Sequence, residues 1–584
     1  MKLPTITQVK RCIEIFMFPI QRHRQLFAFA LTMCVIIAFV GNYVGEHTNP
    51  FVAVLLPIFD CYVACLFATL LDNVRLGKII SVIAFLLLYA ELFTTFFYRS
   101  HFNIHVVQLI LETNQKESRE FISSALSDTS VLYSSVFTIL SLLIAFFAYK
   151  LSKRRFPLKR YVVFLSFAII VWSGIRQVSA YTKLSYLASQ TDTSEFTSPS
   201  RLPHLDTPFV RVAYSLLFNR ASSQELNILV QSVANTQSVY SSFRSPLIVL
   251  VIGESYNKHH TPLYNKQYRN TTPRLKALLE KGNLIVYDDV VTPYNLTSEV
   301  FKNLFTTWDE ECSDKWIHHT LMPVVFRRAG YKVHFISNQF VGETNDFWNT
   351  VGATIFNHPK LSAEQFDSRN TNTYTYDGEL LSELPSVATL TECPTLLIIH
   401  LYGQHVNYAD RYPAEFNIFD NTDCKIKWGG RNGKETCNQY DNATLYNDFV
   451  VDSIFHIVSN VDALLIYLAD HGEEVYDWRN QYERTSDMTP EVAHYQYEIP
   501  FMFCMTDTFI SHHQDIAESV KQNVHRSFIS CNLCHMLFSL AGIQTPVYKE
   551  EYDLLSPKYN SNIKRVIRND TDYDEIIKHL NLDD

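Results

Sequence analysis

Apolar residues are unevenly spread along the 584-residue chain. Up to about residue 180 they form long, nearly unbroken stretches; beyond it, short apolar runs alternate with polar loops, as in a water-soluble domain. Five stretches, at roughly 26–44, 51–71, 79–98, 131–148 and 161–178, have the length of about 20 helical residues that a bilayer crossing needs. Four of them follow the first, and no A-x-A-like site stands behind it, so it reads as a permanent helix and not as a cleaved signal. Residues 1–180 are thus expected to form an all-α, five-span transmembrane domain.

Basic residues orient it. Lys10, Arg11, Arg22 and Arg24 precede the first stretch, Arg75 and Lys78 separate the second and third, and Lys150, Lys153, Arg154, Arg155, Lys159 and Arg160 separate the fourth and fifth. All three clusters fall on one side, which is the cytoplasmic one, so everything after the fifth span lies outside the cytoplasm. Between the third and fourth spans, the segment near 101–125 has apolar residues at helical spacing and a polar face carrying Glu112, Asn114, Glu117 and Glu120. It reads as an amphipathic helix at the outer membrane surface, which either closes the loop or contacts a substrate. Asp60 and Glu91 lie inside apparent spans, where a carboxylate suggests function, although Glu91 is near a helix end.

Residues 181–244 read as a connector: a turn-rich segment, then VRVAYSLLFNRASSQELNILVQSV, whose helical periodicity suits a helix lying along the membrane. From Ser245, short β-branched runs alternate with helical patterns: 247–252, 284–287, 331–336, 395–400, 463–468 and 499–505. This is the pattern of an α/β domain with a largely parallel central sheet, whose strands are buried on both faces. Ligand groups in such sheets collect at the carboxyl ends of the strands.

A net charge of −9 and no basic stripe outside the membrane flanks exclude nucleic acid as a partner. Seven of the eleven cysteines follow residue 300, in a compartment that permits bridges. Cys424 and Cys437 flank KIKWGGRNGKET and read as a staple across a Gly-rich loop; Cys531 and Cys534 receive no chemistry.

Chemistry-bearing residues follow the strands. The first run leads into Glu254, the run at 395–400 ends on His400 and continues to His405, and that at 463–468 leads into Asp470-His471-Gly472. Singly, such a carboxylate is usually a cap and such a histidine a hydrogen-bonding group. Together, at one sheet edge, Asp, Glu and His suit zinc, and Gly472 lets the backbone turn tightly beneath a metal. Thr297 and Ser298 stand just before a helical pattern. Local sequence favours a helix N-cap there, though a helix N-terminus equally stabilises an alkoxide or a bound phosphate.

The segments VIGESYNKHHTPLYNKQYRNTTPRL, VVTPYNLTSEVFKNLFTT, FISNQ, IIHLYGQHVNYADRYP, QYDNATLYNDFV and YLADHGEEVYD, in this order, resemble the phosphoethanolamine transferases of the alkaline phosphatase and sulfatase superfamily. The five-span region upstream and LETNQKESREF at 111–121 resemble that family as well. The resemblance implies a sulfatase-like domain at 245–584 in the periplasm, anchored in a bacterial inner membrane. It implies zinc held by Glu254, Thr297, Asp470 and His471, with Thr297 as nucleophile and a second zinc as an open alternative. It places His405 and His494 in phosphate binding or proton transfer, and His400, Asn114 and Glu117 in substrate binding. Phosphatidylethanolamine would be the donor and lipopolysaccharide the acceptor.

The sequence departs from the family where Asn265, Lys266 and Gln267 intervene before Tyr268, in place of a Gly-Tyr pair. DHGEEVYD resembles the branch acting on lipopolysaccharide core sugars more than the lipid A branch. Related phosphoglycerol transferases or hydrolases share such ligands, and a catalytically inactive membrane sensor would share only the fold; the joint presence of Glu254, Thr297, Asp470 and His471 speaks against the last.

Overall fold

A bilayer offers no water to the backbone, so a spanning segment must pair its own N–H and C=O groups, and the long apolar stretches fold as helices. The computed structural model describes residues 6–44, 54–71, 76–97, 129–152, 160–191, 193–197, 200–237, 239–308, 312, 314–339, 355–420, 426–485, 487–568 and 570–580. The amphipathic segment near 101–125, with Asn114 and Glu117, lies outside the described residues, as does Cys424. Contacts divide the chain into Met1–Glu225 and Leu226–Asp584.

The first unit contains α1 (Ile6–Arg22), α2 (Arg24–Val44), α3 (Pro57–Leu70), α4 (Leu76–Phe97), α5 (Thr129–Leu151), α6 (Arg160–Leu187) and the first part of α7 (Pro208–Ala234). Helices α2 to α6 correspond to the five apolar stretches, with α6 running past 178 to Leu187. Among the described residues, Arg24–Gly41 and Tyr161–Leu187 are long and apolar enough to cross a membrane. Helix α3, at 14 residues, is shorter than a crossing requires.

Ala30, Met33, Cys34 and Ile37 of α2 pack with Leu88 and Leu92 of α4 and Ala145 of α5. Their outward neighbours, among them Val82, Leu143, Phe147, Phe164 and Ile175, are exposed. Glu91 is fully buried, and its Oε1 accepts from Arg211 Nε at 2.7 Å and Nη2 at 2.5 Å. The carboxylate near a helix end thus reaches a guanidinium on α7, not water. Val212, one position along, packs on Leu87 and Ala90, so this part of the expected interfacial helix belongs to the helical bundle. Asp60 accepts a hydrogen bond from the Tyr181 hydroxyl.

In the second unit a mixed sheet is built from β1 (Leu247–Gly253), β2 (Leu284–Tyr287), β3 (Lys332–Ser337), β4 (Ser368–Arg369), β5 (Thr395–His400), β6 (Ala463–Ala469) and β7 (Phe501–Met505). The order is β2-β7-β6-β1-β5-β3-β4; β7 runs antiparallel to both neighbours and the other pairings are parallel. Strands β1 and β6 are buried along their whole length, which is why they read as continuous apolar runs. Their register pairs Gly253 with Ala469, and that of β1 with β5 pairs Ile252 with His400.

Helix α8 (Thr297–Phe305) buries Val300, Phe301, Leu304 and Phe305 under the sheet edge. Helix α9 (Gly430–Val458) is 29 residues long and begins inside the stretch expected to be a Gly-rich loop: Gly429 and Gly430 turn the chain, and Arg431 to Thr436 are already helical. Cys437 is therefore a helix residue, buried against Tyr408 and Tyr440.

Candidate active site at the carboxyl edge of the sheet

Because β1 and β6 are in register, the residues just past their ends emerge side by side. The ladder continues for one bond, Asp470 N donating to Gly253 O at 3.0 Å, and Tyr256 N donates to His471 O at 2.9 Å. Glu254, Asp470 and His471 are all fully buried, and a ligand atom from each lies within 4.8 Å of the others. His471 Nε2 is 3.3 Å from Glu254 Oε1 and 3.2 Å from Asp470 Oδ2.

The backbone around them is held firmly. Ser255 takes the left-handed region at φ 55°, which is uncommon for a residue with a Cβ. Its N donates to Asp470 Oδ1 at 3.0 Å and its hydroxyl to Glu254 Oε1 at 2.8 Å. The Tyr440 hydroxyl donates to Ser255 O and accepts from Asn257 N, fixing the turn from α9. Gly472 serves by its lack of a side chain and not by a special dihedral: a Cβ there would lie 2.2 Å from the Tyr495 carbonyl oxygen. The DHG glycine is therefore set by a neighbouring backbone, where the sequence suggested a tight turn.

Thr297 is the first residue of α8, and the N-cap position is taken by Leu296 with no side-chain cap bond. Its Oγ1 donates to Glu254 at 3.2 Å from Oε2 and lies 3.4 Å from His471 Nε2. The hydroxyl faces the cluster instead of its own helix.

Electrostatics sharpen the picture. Burial alone would raise Glu254, but the His471 imidazole against it, with His405 and Arg484 nearby, holds it well below the usual carboxylate range. Asp470 moves the other way, pushed well up by burial and then by the Glu254 charge. Asp470 Oδ2 is buried with no hydrogen-bond partner among the described residues. His471 Nδ1 donates to Gly472 O at 2.7 Å, which leaves the Nε2 lone pair facing the carboxylates. Two carboxylates, one orphaned oxygen, an oriented imidazole and a hydroxyl fit a tetrahedral zinc ligand set.

The remaining expected residues fall at different distances from this cluster. His405 is half-buried, edge-on to Tyr402; burial lowers its pKa while Glu254 pulls it up and Arg484 down, so it is within electrostatic reach of both. His400 is fully buried at the end of β5, with Nδ1 3.1 Å from Ser337 Oγ and its ring against Phe301; burial holds its pKa at about 4. It is linked to the cluster by the Glu254 charge, which pulls its pKa back up. His494 belongs to a second cluster, stacked on His259 at 3.8 Å with Nδ1 2.7 Å from Glu498 Oε1, and Lys258 Nζ is 2.6 Å from the other Glu498 oxygen.

Three further residues enter the site. Gln339 Nε2 donates to Glu254 Oε2 at 3.2 Å and to Leu401 O at 3.0 Å. Its segment FISNQ was conspicuous, but its role was not. Glu473 is buried, accepts from the Tyr408 hydroxyl at 3.0 Å and is raised by burial to about 8. Arg484 Nη1 is 2.7 Å from His471 Nε2; it sits in a polar loop without periodicity or motif, and nothing in the sequence marks it.

Residues 246–543, just over half of the chain, match the family model described as Sulfatase. Phosphoethanolamine transferase EptC of Escherichia coli (strain K12) is 27% identical over 481 residues, 80% of each chain. Kdo(2)-lipid A phosphoethanolamine 7''-transferase of the same strain is 23% identical over 352 residues, 59% of each chain. The crystal structure of the C-terminal periplasmic domain of EcEptC from Escherichia coli, in complex with Zn, superposes with a TM-score of 0.50 at 28% identity, covering 58% of this chain and 96% of that one. The chain belongs to the sulfatase family, within the alkaline phosphatase/sulfatase superfamily.

Proposed function

We propose that this chain transfers phosphoethanolamine from phosphatidylethanolamine to a lipopolysaccharide acceptor, a core sugar in preference to lipid A, on the periplasmic side of a bacterial inner membrane. The observation that carries the reading is the Thr297 hydroxyl, released from capping and directed at Glu254 and His471. Relatives that bear the transferase name, and a zinc-bound structure of one of them, support it.

Glu254, Asp470 and His471 would hold zinc with Thr297 as the fourth ligand. Zinc there supplies positive charge that lowers the pKa of a neighbouring hydroxyl and offsets charge on a phosphoryl group. The chain's own residues do the rest. Thr297 Oγ1, its proton lost to solvent before the donor binds, attacks phosphorus as the alkoxide; the diacylglycerol oxygen leaves and takes the proton held by His405, and phosphoethanolamine remains esterified to Thr297 until the second displacement returns the alkoxide. An acceptor hydroxyl then attacks the same phosphorus, gives up its proton, and the Thr297 oxygen leaves. His405, within electrostatic reach of Glu254, is assigned the proton that goes to the first leaving group and comes from the acceptor. His494, with Nδ1 2.7 Å from Glu498 Oε1, keeps the phosphate-binding or proton-transfer role that the resemblance implies.

Both substrates are lipids of one surface. The exposed apolar side chains of α4, α5 and α6 suit contact with lipid, and anchoring there raises the effective concentration of substrates at the site.

Peptide mass spectrometry of the purified protein incubated with phosphatidylethanolamine, without acceptor, tests the reading. A phosphoethanolamine adduct on Thr297 is expected, absent from Thr297→Ala; an adduct on another residue, or none in zinc-loaded protein, would refute it.

A further inference from the structure

The loop after Gly472 carries two arginines with opposite fates. Arg479 is fully engaged: Nε and Nη2 donate to the two Glu474 oxygens at 2.8 and 2.9 Å, and Nη1 to Asp487 at 3.0 Å. Arg484, five residues on, is only 22% exposed and stands among Glu254, Asp470 and Glu473, yet pairs closely with none of them. The nearest carboxylate oxygen the structure gives it is Glu473 Oε2, 3.9 Å from Nε. Among the described residues its one short contact is from Nη1 to His471 Nε2, at 2.7 Å.

That contact is to a lone pair which a metal would claim, because His471 Nδ1 is already committed to Gly472 O. One lone pair cannot serve a metal and a guanidinium together. With the ligand set engaged, the planar fork of Arg484 would be released beside the same His471 Nε2 that the Thr297 hydroxyl faces at 3.4 Å. A fork of this shape matches two oxygens of a phosphoryl group. Charge leads to the same point. Glu254 and Asp470 offset one divalent ion, and the phosphodiester that reaches Thr297 brings a further negative charge spread over its non-bridging oxygens. A fixed cation beside the ligands meets that charge and opposes a second metal ion at the same place.

We propose that Arg484 is the phosphoryl-binding residue of this site, holding the non-bridging oxygens of the group passing through Thr297, and that its charge stands where a second metal ion would otherwise be needed. The inference rests on the transferase reading for the identity of the phosphoryl group, but its test does not require the natural donor.

The test uses full-length, zinc-loaded protein in detergent: wild type, Arg484→Gln and Arg484→Lys, each checked for folding by thermal melting. Metal content is read by atomic emission and inorganic phosphate binding by calorimetry. One zinc per chain is expected in all three, with phosphate affinity falling at least tenfold in Arg484→Gln and recovering in part in Arg484→Lys. Two zinc ions in the wild type, unchanged phosphate affinity in Arg484→Gln, or loss of zinc from that variant would each overturn the proposal. Should Arg484→Gln not fold, an Arg484→Lys protein with wild-type phosphate affinity and two zinc ions would overturn it, and one with weakened affinity and one zinc would uphold it. Loss of phosphate affinity alongside a wild type that forms no Thr297 adduct would retain Arg484 and remove the transferase reading; a normal adduct with unchanged affinity would do the reverse.

Discussion

Replacing Asp470 by Asn should change stability in opposite directions with and without zinc. Oδ1 of Asp470 accepts from Ser255 N at 3.0 Å and His471 N at 2.8 Å, and an amide oxygen keeps both bonds. The change is at Oδ2, buried, without a partner among the described residues, and 3.2 Å from His471 Nε2. In zinc-free protein the substitution removes a carboxylate that faces Glu254, and with it the buried Oδ2 that has no partner among the described residues, the His471 Nε2 lone pair being already met by Arg484 Nη1 at 2.7 Å. Relief of one unsatisfied buried polar atom is worth about 1–3 kcal/mol. The zinc-free variant should therefore melt higher than wild type, by roughly 2–4 °C per kcal/mol or less for a unit of this size. With zinc the order reverses, because an anionic ligand has been lost; a hundredfold drop in affinity removes about 2.7 kcal/mol of linked stabilisation. Thermal unfolding in detergent, in chelator and in excess zinc, reads both arms, and metal analysis reads occupancy. A variant that is less stable than wild type by the same amount in both conditions, or that retains full zinc, would show Asp470 to be a backbone-bracing residue and no ligand.

Gly472→Ala puts a methyl group 2.2 Å from the Tyr495 carbonyl, and the resulting backbone shift should cost about 1–3 kcal/mol and weaken zinc retention through His471; an unchanged melt and metal content would refute this. His260 lies between Asp441, 2.7 Å from Nδ1, and Asp477, 2.9 Å from Nε2; burial opposes its charge, but the two carboxylates carry its pKa up to about 10. A folded pKa above the unfolded value of about 6.5 adds stability that is complete below that pH and is lost as pH rises through about 10. Melts of wild type and His260→Gln across pH 6 to 11, on the order of one per pH unit, should diverge least at the alkaline end, and parallel curves would sink the argument. Arg211→Ala takes the guanidinium from buried Glu91 and should destabilise the first unit by about 3–5 kcal/mol, while Glu91→Leu/Arg211→Met should come close to wild type; a single variant as stable as the double would contradict it.

How much of this was legible depends on which force leaves a trace in sequence. The strands were readable to within two residues at most of their ends, because burial on both faces demands an unbroken apolar run. The direction of β7 was not, since an antiparallel strand in the same core has the same composition, and the two-residue β4 is too short to carry a pattern. Glycine misled twice. In GGRNGKET it suggested a loop, where α9 is held in place by the buried residues further along it, from Cys437 to Val458. In DHG it suggested a dihedral requirement, where the constraint is a carbonyl some twenty residues away. Thr297 gave the converse error: its local pattern reads as a cap, but Leu296 occupies that position and the hydroxyl answers to Glu254, 43 residues distant. Arg484 left no trace, because a single cation in a polar loop acquires meaning only from the residues it meets.

The division of labour within the site follows from the same distinction. Glu254 and Asp470 extend from paired positions of two central strands, Gly253 and Ala469, so the sheet fixes their separation before any ligand arrives, and little conformational entropy remains to be lost on binding a metal. His405 and Arg484 come from loops and approach this fixed pair from outside. One of those loops is pressed against it: Gly403, at φ 52°, passes so close that a Cβ would lie 2.8 Å from both Glu254 N and Glu254 O. Gly403 N is also tied to Asp377 Oδ2 at 2.8 Å, and Gln404 N donates to Glu254 O at 3.0 Å, so the segment that delivers His405 is anchored to the backbone of Glu254 itself. The Arg484 loop has no comparable bond from its own backbone to Glu254 among the described residues; it is tied instead to the segment after Gly472, Glu483 N donating to Glu474 O at 2.8 Å, and to Gln496, whose amide oxygen accepts from Thr485 N at 3.0 Å. If the proposed roles hold, metal affinity should be a property of the sheet, the proton transfer assigned to His405 a property of a clamped loop, and the phosphoryl contact proposed for Arg484 the part least tied to the Glu254 backbone.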